Sequence, residues 1–270
     1  MNNRSSLFTR AAALLLVLFL YAPLIIVIKN SFNEAPFGLE WKGFTLKWYV
    51  KLWNDDLARS ALKNSALLAI VSTTVSTILG TLLALGWSRA SARWSKWISG
   101  LLYIPVCVPD IVMGVSLLLF YSMVRQWLGI FQLGLLTMIL AHVTFQLPFV
   151  ALVVRARLTG TDPAIVEAAE DLGANPWQRF LYVTFPLAVP GIAAGALLAF
   201  TLSLDDFVVS FFTSGPGSTT LPILIYSSIK RGLSPEINAL STLLIAASVI
   251  GTVFMALLEG EKLVKNSTPV

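Results

Sequence analysis

Residues 167–186 read EAAEDLGANPWQRFLYVTFP, a partly charged stretch in a chain whose other long segments are apolar. The run Gln126–Val154 before it contains no Asp, Glu, Lys or Arg, and neither does the run Phe180–Leu204, which begins inside it. Charge-free runs of about 18 residues or more are long enough to cross a bilayer as helices. The stretch is therefore predicted to be a water-exposed element between two membrane spans.

The composition of the whole chain agrees with a membrane protein. Of its 270 residues, 56% are hydrophobic and only 12% are charged, whereas a soluble domain carries roughly 25% charged residues. The net charge of +5 suits basic loop ends and does not by itself indicate nucleic acid. Cys107 is the only cysteine, so an intrachain disulfide and a cysteine metal cluster are excluded.

The charge-free runs predict an all-α membrane protein forming a single transmembrane domain over residues 1–270. We expect about six transmembrane helices, near residues 11–28, 64–88, 98–124, 132–154, 187–210 and 238–258. Residues 155–186 form the loop between the fourth and fifth. The charge-free run Phe207–Ile229 is broken by Gly215-Pro216-Gly217 and by Pro222, which predicts a turn and a short or re-entrant helix there.

The ends of the first span bear on targeting and orientation. Arg4 and Arg10 precede it, as in a signal peptide, but it continues past Pro23 without a convincing cleavage site, so we expect a retained helix. Arg89, Arg93 and Lys96 cluster between the second and third spans, whereas the next loop holds only Arg125. Positive charge collects on the cytoplasmic side of a membrane. Both termini are therefore predicted to be cytoplasmic.

The loop itself is predicted to hold two short helices. Thr161 or Asp162 is positioned to cap the first, Pro163 suits its first turn, and Gly173 is positioned to end it. Asn175-Pro176 starts the second, which Pro186 is expected to close. One face of the first helix carries apolar or small side chains at helical spacing, namely Ile165, Ala168, Ala169 and Leu172. From these residues alone, a plain amphipathic surface helix remains an alternative to a docking element.

The pattern Glu167-Ala168-Ala169, three residues, Gly173, nine residues and then Val183-x-x-Pro186 resembles the signature of binding-protein-dependent permeases. Val183 and Phe185 stand where that family has Ile and Leu. Further blocks along nearly the whole chain are similar to permease subunits of spermidine/putrescine ABC importers; they lie at residues 44–49, 109–112, 141–145, 202–216 and 235–240.

The resemblance implies a permease of the MetI-like fold in a bacterial inner membrane, forming half of a translocation pathway. It also implies that the first loop helix sits in a groove of an ATPase subunit. The coupling residues carried over are Glu167, Ala168, Ala169, Leu172, Gly173 and Pro186. The implied partners are a homologous permease subunit, two ATPase subunits, an extracytoplasmic polyamine-binding protein and membrane lipid, with no nucleic acid.

The chain lacks the Gly-x-x-x-x-Gly-Lys-Ser/Thr phosphate loop. We therefore expect that this chain is not an enzyme and binds no cofactor, and that separate ATPase subunits hold ATP and Mg²⁺. A metal-dependent membrane enzyme is disfavoured because His142 is the only histidine, and no metal site is predicted. A passive channel or structural membrane subunit remains a candidate of another class, but such a function does not account for the 155–186 loop.

Three carboxylates are candidates for a substrate pathway. Asp110 interrupts the third span, and Asp205 and Asp206 end the fifth. A charge at the bilayer centre costs roughly 2.5–3.5 kcal/mol on insertion scales, so these acids should face protein, water or a cation. Aromatic faces also attract ammonium groups; the candidates are Phe145, Phe207, Phe211, Phe212 and Tyr226.

These acids fit a polyamine better than an anion, although another organic cation or an amino-acid derivative stays possible. An alternative role for Asp110 is to cap a helix that restarts after a break at Pro105 and Pro109. Asp205 and Asp206 could instead lie solvated at the membrane edge. The aromatic residues have the alternative of plain packing. His142 is expected to hydrogen-bond a neighbouring helix.

Overall fold

The computed structural model describes residues 3–35, 40–231 and 235–266. Across these ranges the regular structure is helical, with one isolated bridge between Asn33 and Phe44. The helices are α1 (Asn3–Ser31), α2 (Lys47–Trp53), α3 (Asp56–Ser88), α4 (Ala92–Cys107), α5 (Asp110–Leu128), α6 (Leu135–Thr159), α7 (Pro163–Asp171), α8 (Pro176–Arg179), α9 (Phe185–Asp205), α10 (Val208–Thr213), α11 (Leu221–Arg231) and α12 (Pro235–Asn266).

Five helical segments within the described residues are long and apolar enough to cross a membrane, by length and composition: Phe8–Ser31, Asp56–Ser88, Asp110–Leu128, Leu135–Thr159 and Pro176–Asp205. Two shorter apolar helices are Leu221–Lys230 and Pro235–Ile250. The chain is thus an all-α membrane protein, as predicted. The sixth predicted span, 238–258, lies in α12, whose side chains are described only as far as Ile250.

Two of the predicted spans differ from the observed helices. The continuous helix expected over 98–124 is divided, because α4 ends at Cys107 and α5 begins at Asp110. Val108 between them is extended, with ψ 129°, as the residue before a proline prefers. The helix expected to reach residue 210 ends at Asp205, where Asp206 turns extended with ψ 121°. The region 207–229 forms α10, a turn and α11, as predicted.

The residues group into two compact units, Met1–Arg59 with Ile225–Val270, and Ser60–Leu224. In the first unit, α1 and α2 both pack against α12. The segment before α2 is held by aromatic packing, since the Phe32 ring lies 5.3 Å from both the Phe44 and the Tyr49 rings. Lys51 on α2 forms an ion pair with Glu236 on α12.

The second unit is built around α6, which packs chiefly against α9 and also touches α4, α5 and α10. Small residues bring its neighbours close. A Cβ on Gly80 of α3 would lie 2.8 Å from the Val150 side chain, and one on Gly195 of α9 would lie 3.3 Å from it. Lipid gives helices no hydrophobic reason to associate, so close van der Waals packing at small residues stabilises the contact. Ala84, Val150, Val154 and Ala199 form the core there.

Candidate functional site

A cavity of about 310 Å³ lies in the second unit where two helices are interrupted. One wall comes from the break between α4 and α5, and another from the break between α9 and α10. Residue 110 begins α5 and residues 205–206 end α9, so both breaks place a carboxylate at the cavity. Its lining includes the predicted pathway residues Asp110, Phe145, Asp205, Asp206 and Phe207.

The three carboxylates differ in their surroundings. Asp110 and Asp205 are exposed, whereas the Asp206 side chain keeps only 8% of its surface. Asp206 Oδ1 accepts a hydrogen bond from the Val209 amide over 3.2 Å, and Oδ2 accepts one from the Ser210 amide over 2.7 Å. Asp206 therefore accepts from two amides in the first turn of α10 and faces the cavity at the same time.

His142 of α6, which is fully buried, connects Asp206 to the protein interior. Its Nε2 lies 3.3 Å from Asp206 Oδ2 and 3.0 Å from Ser210 Oγ. Its Nδ1 lies 2.8 Å from Ser203 Oγ on α9. A neutral imidazole with its proton on Nε2 satisfies these contacts, since Nε2–H then faces the carboxylate and Nδ1 accepts from Ser203. His142 bonds a neighbouring helix, as predicted.

The hydrogen bonds continue beyond Ser203. Its Oγ lies 3.3 Å from Ser72 Oγ, which accepts from Gln146 Nε2 over 3.3 Å. Gln146 Oε1 in turn accepts from Ser76 Oγ over 3.0 Å. Each of these groups can donate its hydrogen bond to the next one, so that the series of donors ends at Asp206. We call this set the hydrogen-bond chain; its members are Ser76, Gln146, Ser72, Ser203, His142 and Asp206.

Sequence reasoning missed four members of this chain, the three serines and Gln146. A signal for them exists in the spacing. Ser72 and Ser76 stand four residues apart in one apolar span, as do His142 and Gln146 in another. Residues four apart share a helix face. Two polar pairs, each on one face of an apolar helix, indicate helices that hydrogen-bond to each other inside the membrane.

The predicted aromatic residues separate into groups. The Phe145 ring lies 5.1 Å from the His142 ring at the cavity. The Phe207 ring lies 5.4 Å from that of Phe211, which is exposed and lies outside the cavity lining. Phe212 packs where Gly114 leaves room for it.

Tyr226 lies in the other compact unit, where Lys230 Nζ sits 4.9 Å from its ring centroid. One face of that ring already holds a cation. Tyr226 is not among the described residues that line the cavity.

The loop between α6 and α9 has the predicted first helix, α7. Asp162 caps it by accepting from the Ala164 amide over 2.9 Å. Gly173 follows with φ +81°, a left-handed conformation that favours glycine. Glu167, Ala168 and Leu172 are exposed, while Ala169 is half-buried. Leu172 keeps 89% of its surface, so this end of the loop presents an apolar side chain outward.

The second loop helix begins as predicted, with Asn175 and Gln178 forming a reciprocal capping box. It does not close at Pro186, however. A π-helical turn over Phe180–Thr184 leads directly into α9, with the Phe185 amide donating to the Phe180 carbonyl. Pro186 therefore lies near the start of α9, inside a helical segment that runs on from Pro176 to Asp205. The loop is fastened by an ion pair between Arg179 and Glu170.

Within the described ranges, no group of three or more His, Cys, Asp or Glu side chains is placed to hold a metal ion.

Comparison with known proteins identifies the family. Residues 76–260 match the family described as "Binding-protein-dependent transport system inner membrane component". The match covers more than half of the chain. This protein belongs to that family. Its members are transport components of the membrane rather than enzymes, and this chain, with its several apolar helices, is a multi-pass permease.

Curated relatives cover most of the chain. It is 43% identical to the "Spermidine/putrescine transport system permease protein PotC" of Escherichia coli (strain K12), over 93% of this chain and 94% of that protein. It is also 43% identical to the "Putrescine transport system permease protein PotI" of the same organism, over 85% of this chain and 82% of that protein.

Solved structures share the fold at low identity. A bacterial ABC transporter involved in the import of the acidic polysaccharide alginate has a chain with TM-score 0.74 and 20% identity, covering 95% of both chains. The inward-facing MetNI methionine ABC transporter has one with TM-score 0.60 and 19% identity, covering 84% of this chain and all of that one. These likenesses concern the fold alone.

Proposed function

We propose that this chain is one of two homologous permease subunits of an ATP-driven importer for polyamines, spermidine or putrescine. The observation that carries the proposal is the meeting of Asp110, Asp205 and Asp206 with three phenylalanine side chains at one cavity. Its two relatives above are named for spermidine and putrescine transport.

The chemistry of the cavity favours a cation with several charges. A polyamine is a flexible chain of ammonium groups separated by methylenes. Carboxylates attract the ammonium groups, and aromatic faces attract them through their electron-rich rings. The methylenes suit the apolar part of the lining, which includes Met113 and Phe149. The likeness to an importer of an acidic polysaccharide does not oppose this, since one fold serves substrates of different charge.

The proposed coupling element is α7 with the residues that follow it. Its exposed Glu167, Ala168 and Leu172 are offered to an ATPase subunit, with Ala169 beside them and Gly173 ending the helix. Two such ATPase subunits would hold ATP and Mg²⁺, and an extracytoplasmic binding protein would deliver the polyamine. Closure of the ATPase pair would push on α7, and the paired permeases would alternate between outward and inward access. We propose that both chain termini lie in the cytoplasm of a bacterium.

The test is uptake of labelled spermidine and putrescine by cells without other polyamine importers. The cells express this chain with its cognate permease, ATPase and binding protein, or the same set without this chain. Asp206→Asn removes the buried charge at similar shape, and uptake should fall about tenfold or more, since charge-assisted hydrogen bonds contribute roughly 1.5–3 kcal/mol each. Asp56→Asn, at an exposed aspartate that begins α3, is the matched control and should transport normally.

The outcomes separate the candidate functions. Uptake that needs this chain and falls only in Asp206→Asn supports the proposal. An assembled complex that hydrolyses ATP but transports neither polyamine would leave an importer of another organic cation or amino-acid derivative. Transport that continues without any ATPase would favour a passive channel.

A further inference from the structure

A second pocket, distinct from the carboxylate cavity, lies where three helices end or begin. It has a volume of about 630 Å³ and is open on one side. Its polar and aromatic lining residues include Trp87, Ser95, Lys96, Ser99, Tyr103 and Arg155. None of its described lining residues is an aspartate or glutamate. Its charge is therefore opposite to that of the carboxylate cavity, and it needs a different ligand.

Arg155 on α6 is fixed within this pocket. Its guanidinium carbon lies 3.8 Å from the centroid of the buried Trp87 ring, which is a cation–π contact. Its Nη2 donates to Ser95 Oγ over 3.2 Å. Among the described residues, no carboxylate lies within 4.0 Å of it, and its buried Nη1 has no hydrogen-bond partner. The positive charge is thus held in place, and the described part of the chain supplies no carboxylate within 4.0 Å of it.

Ser95 adds a hydrogen-bond donor beside this charge. Its Oγ accepts from Trp87 Nε1 over 2.8 Å as well as from Arg155 Nη2. A hydroxyl oxygen has two lone pairs and one proton. With both lone pairs used, the hydroxyl proton is left for an acceptor outside these three residues. Lys96, the next residue of α4, contributes a second positive charge to the same pocket.

The position of the pocket indicates where its ligand resides. Trp87 stands near the end of the membrane-length segment Asp56–Ser88, and Arg155 near the end of Leu135–Thr159. Segment ends lie at the level of lipid headgroups, where tryptophan and tyrosine are enriched. Basic pockets between transmembrane helices bind anionic headgroups there. Two cations with hydroxyl donors and no acid suit a group with several acceptor oxygens and a negative charge.

We infer that the pocket of Trp87, Ser95, Lys96 and Arg155 binds a phosphate group, supplied by the headgroup of an anionic phospholipid. The bound lipid would link the start of α4 to the end of α6, next to the loop that contains α7. This inference does not depend on the identity of the transported substrate.

The experiment measures ligands retained by the full-length chain, purified with any subunits that accompany it, by native mass spectrometry. Phosphatidylglycerol and phosphatidylcholine of the same acyl chains are compared, and inorganic phosphate is added as a competitor in a separate arm. Arg155→Gln and Lys96→Gln each remove one charge from the pocket. Arg125→Gln, at an exposed arginine in the last turn of α5, removes the same charge elsewhere.

Retention of phosphatidylglycerol should exceed that of phosphatidylcholine and fall about tenfold in both pocket variants, with Arg125→Gln unchanged, since each lost contact is charge-assisted. If Arg155→Gln does not fold because it also loses the contact with Trp87, Lys96→Gln decides alone. Equal retention of both lipids, or equal retention by all variants, overturns the inference. Binding of inorganic phosphate that needs Arg155 and Lys96, with no retained lipid, keeps the phosphate chemistry and overturns the lipid as its source.

Discussion

The surroundings of Asp206 and the exposed face of α7 differ in whether the chain itself supplies the contacts of their side chains. At Asp206, two backbone amides and His142 supply the contacts of a buried carboxylate, and all of these groups belong to the same compact unit. On α7 and just after it, Glu167, Ala168 and Leu172 face outward. In the first region the chain itself supplies the contacts, whereas in the second it leaves side chains exposed, and we propose that an ATPase subunit contacts them.

The difference follows from the cost of burial. A buried polar group without a partner costs roughly 1–3 kcal/mol, so a carboxylate at membrane depth must have its contacts before any substrate arrives. An exposed leucine such as Leu172, just after α7, costs much less. It retains its apolar surface for an interface.

Removing His142 should disrupt the contacts around Asp206, and this is the largest effect that we expect. His142→Ala leaves Asp206, Ser203 and Ser210 without their shared partner, so the stability of the detergent-solubilised chain should fall by about 2 kcal/mol or more. Thermal unfolding of the purified chain measures this, and polyamine uptake should fall with it. His142→Gln keeps one donor and one acceptor and should restore part of both. Equal stability of the alanine variant and the wild type would show that the hydrogen-bond chain is not structural.

The α7 side of the contrast is tested by Leu172→Ser. The folded chain should keep its stability within about 0.5 kcal/mol, because an exposed substitution removes no internal contact. Uptake and substrate-stimulated ATPase activity should fall about tenfold if Leu172 enters a partner's apolar pocket, where its burial contributes roughly 1.5–3 kcal/mol. Leu172→Met keeps the apolar surface and should behave as wild type. A serine variant that unfolds but couples normally when stabilised would contradict the assignment.

The smallest effect is expected at Gly173. An alanine there must adopt φ +81°, which costs about 1 kcal/mol for a residue with a Cβ. The end of α7 should therefore exchange its amide hydrogens faster, while the Asp206 region is unchanged. Asn, which tolerates the left-handed conformation, should be nearly neutral at this position. Hydrogen exchange read by mass spectrometry compares the two regions directly, and faster exchange at both would remove the contrast.

Local features of this protein could be predicted from sequence because their causes are local. Asp162 caps α7 through an amide two residues away, and Gly173 meets a need of its own backbone. The apolar runs predict spans by length alone. Pro186 is a case that local reasoning got wrong. It was expected to end the second loop helix, but the π-helical turn before it continues that helix into α9.

The candidate site was predicted only in part. Carboxylates stand out in apolar spans, so Asp110, Asp205 and Asp206 could be selected one by one. Their meeting at one cavity depends on how α5, α6 and α9 pack, which no spacing along the chain specifies. Phe211 and Tyr226 were selected by residue type, and type does not reveal that Phe211 lies outside the cavity lining or that Lys230 occupies a face of Tyr226.

The hydrogen-bond chain stabilises a negative charge with dipoles in place of a positive ion. Its hydroxyls, its amide and the two backbone N–H groups can all orient their positive ends toward Asp206, and no described lysine or arginine lies within 4.0 Å of that carboxylate. A fixed cation would cancel the charge and would have to be displaced by any cation that entered. Aligned dipoles cancel nothing. An arriving ammonium group therefore finds a carboxylate that is already oriented, with no described lysine or arginine to displace from it.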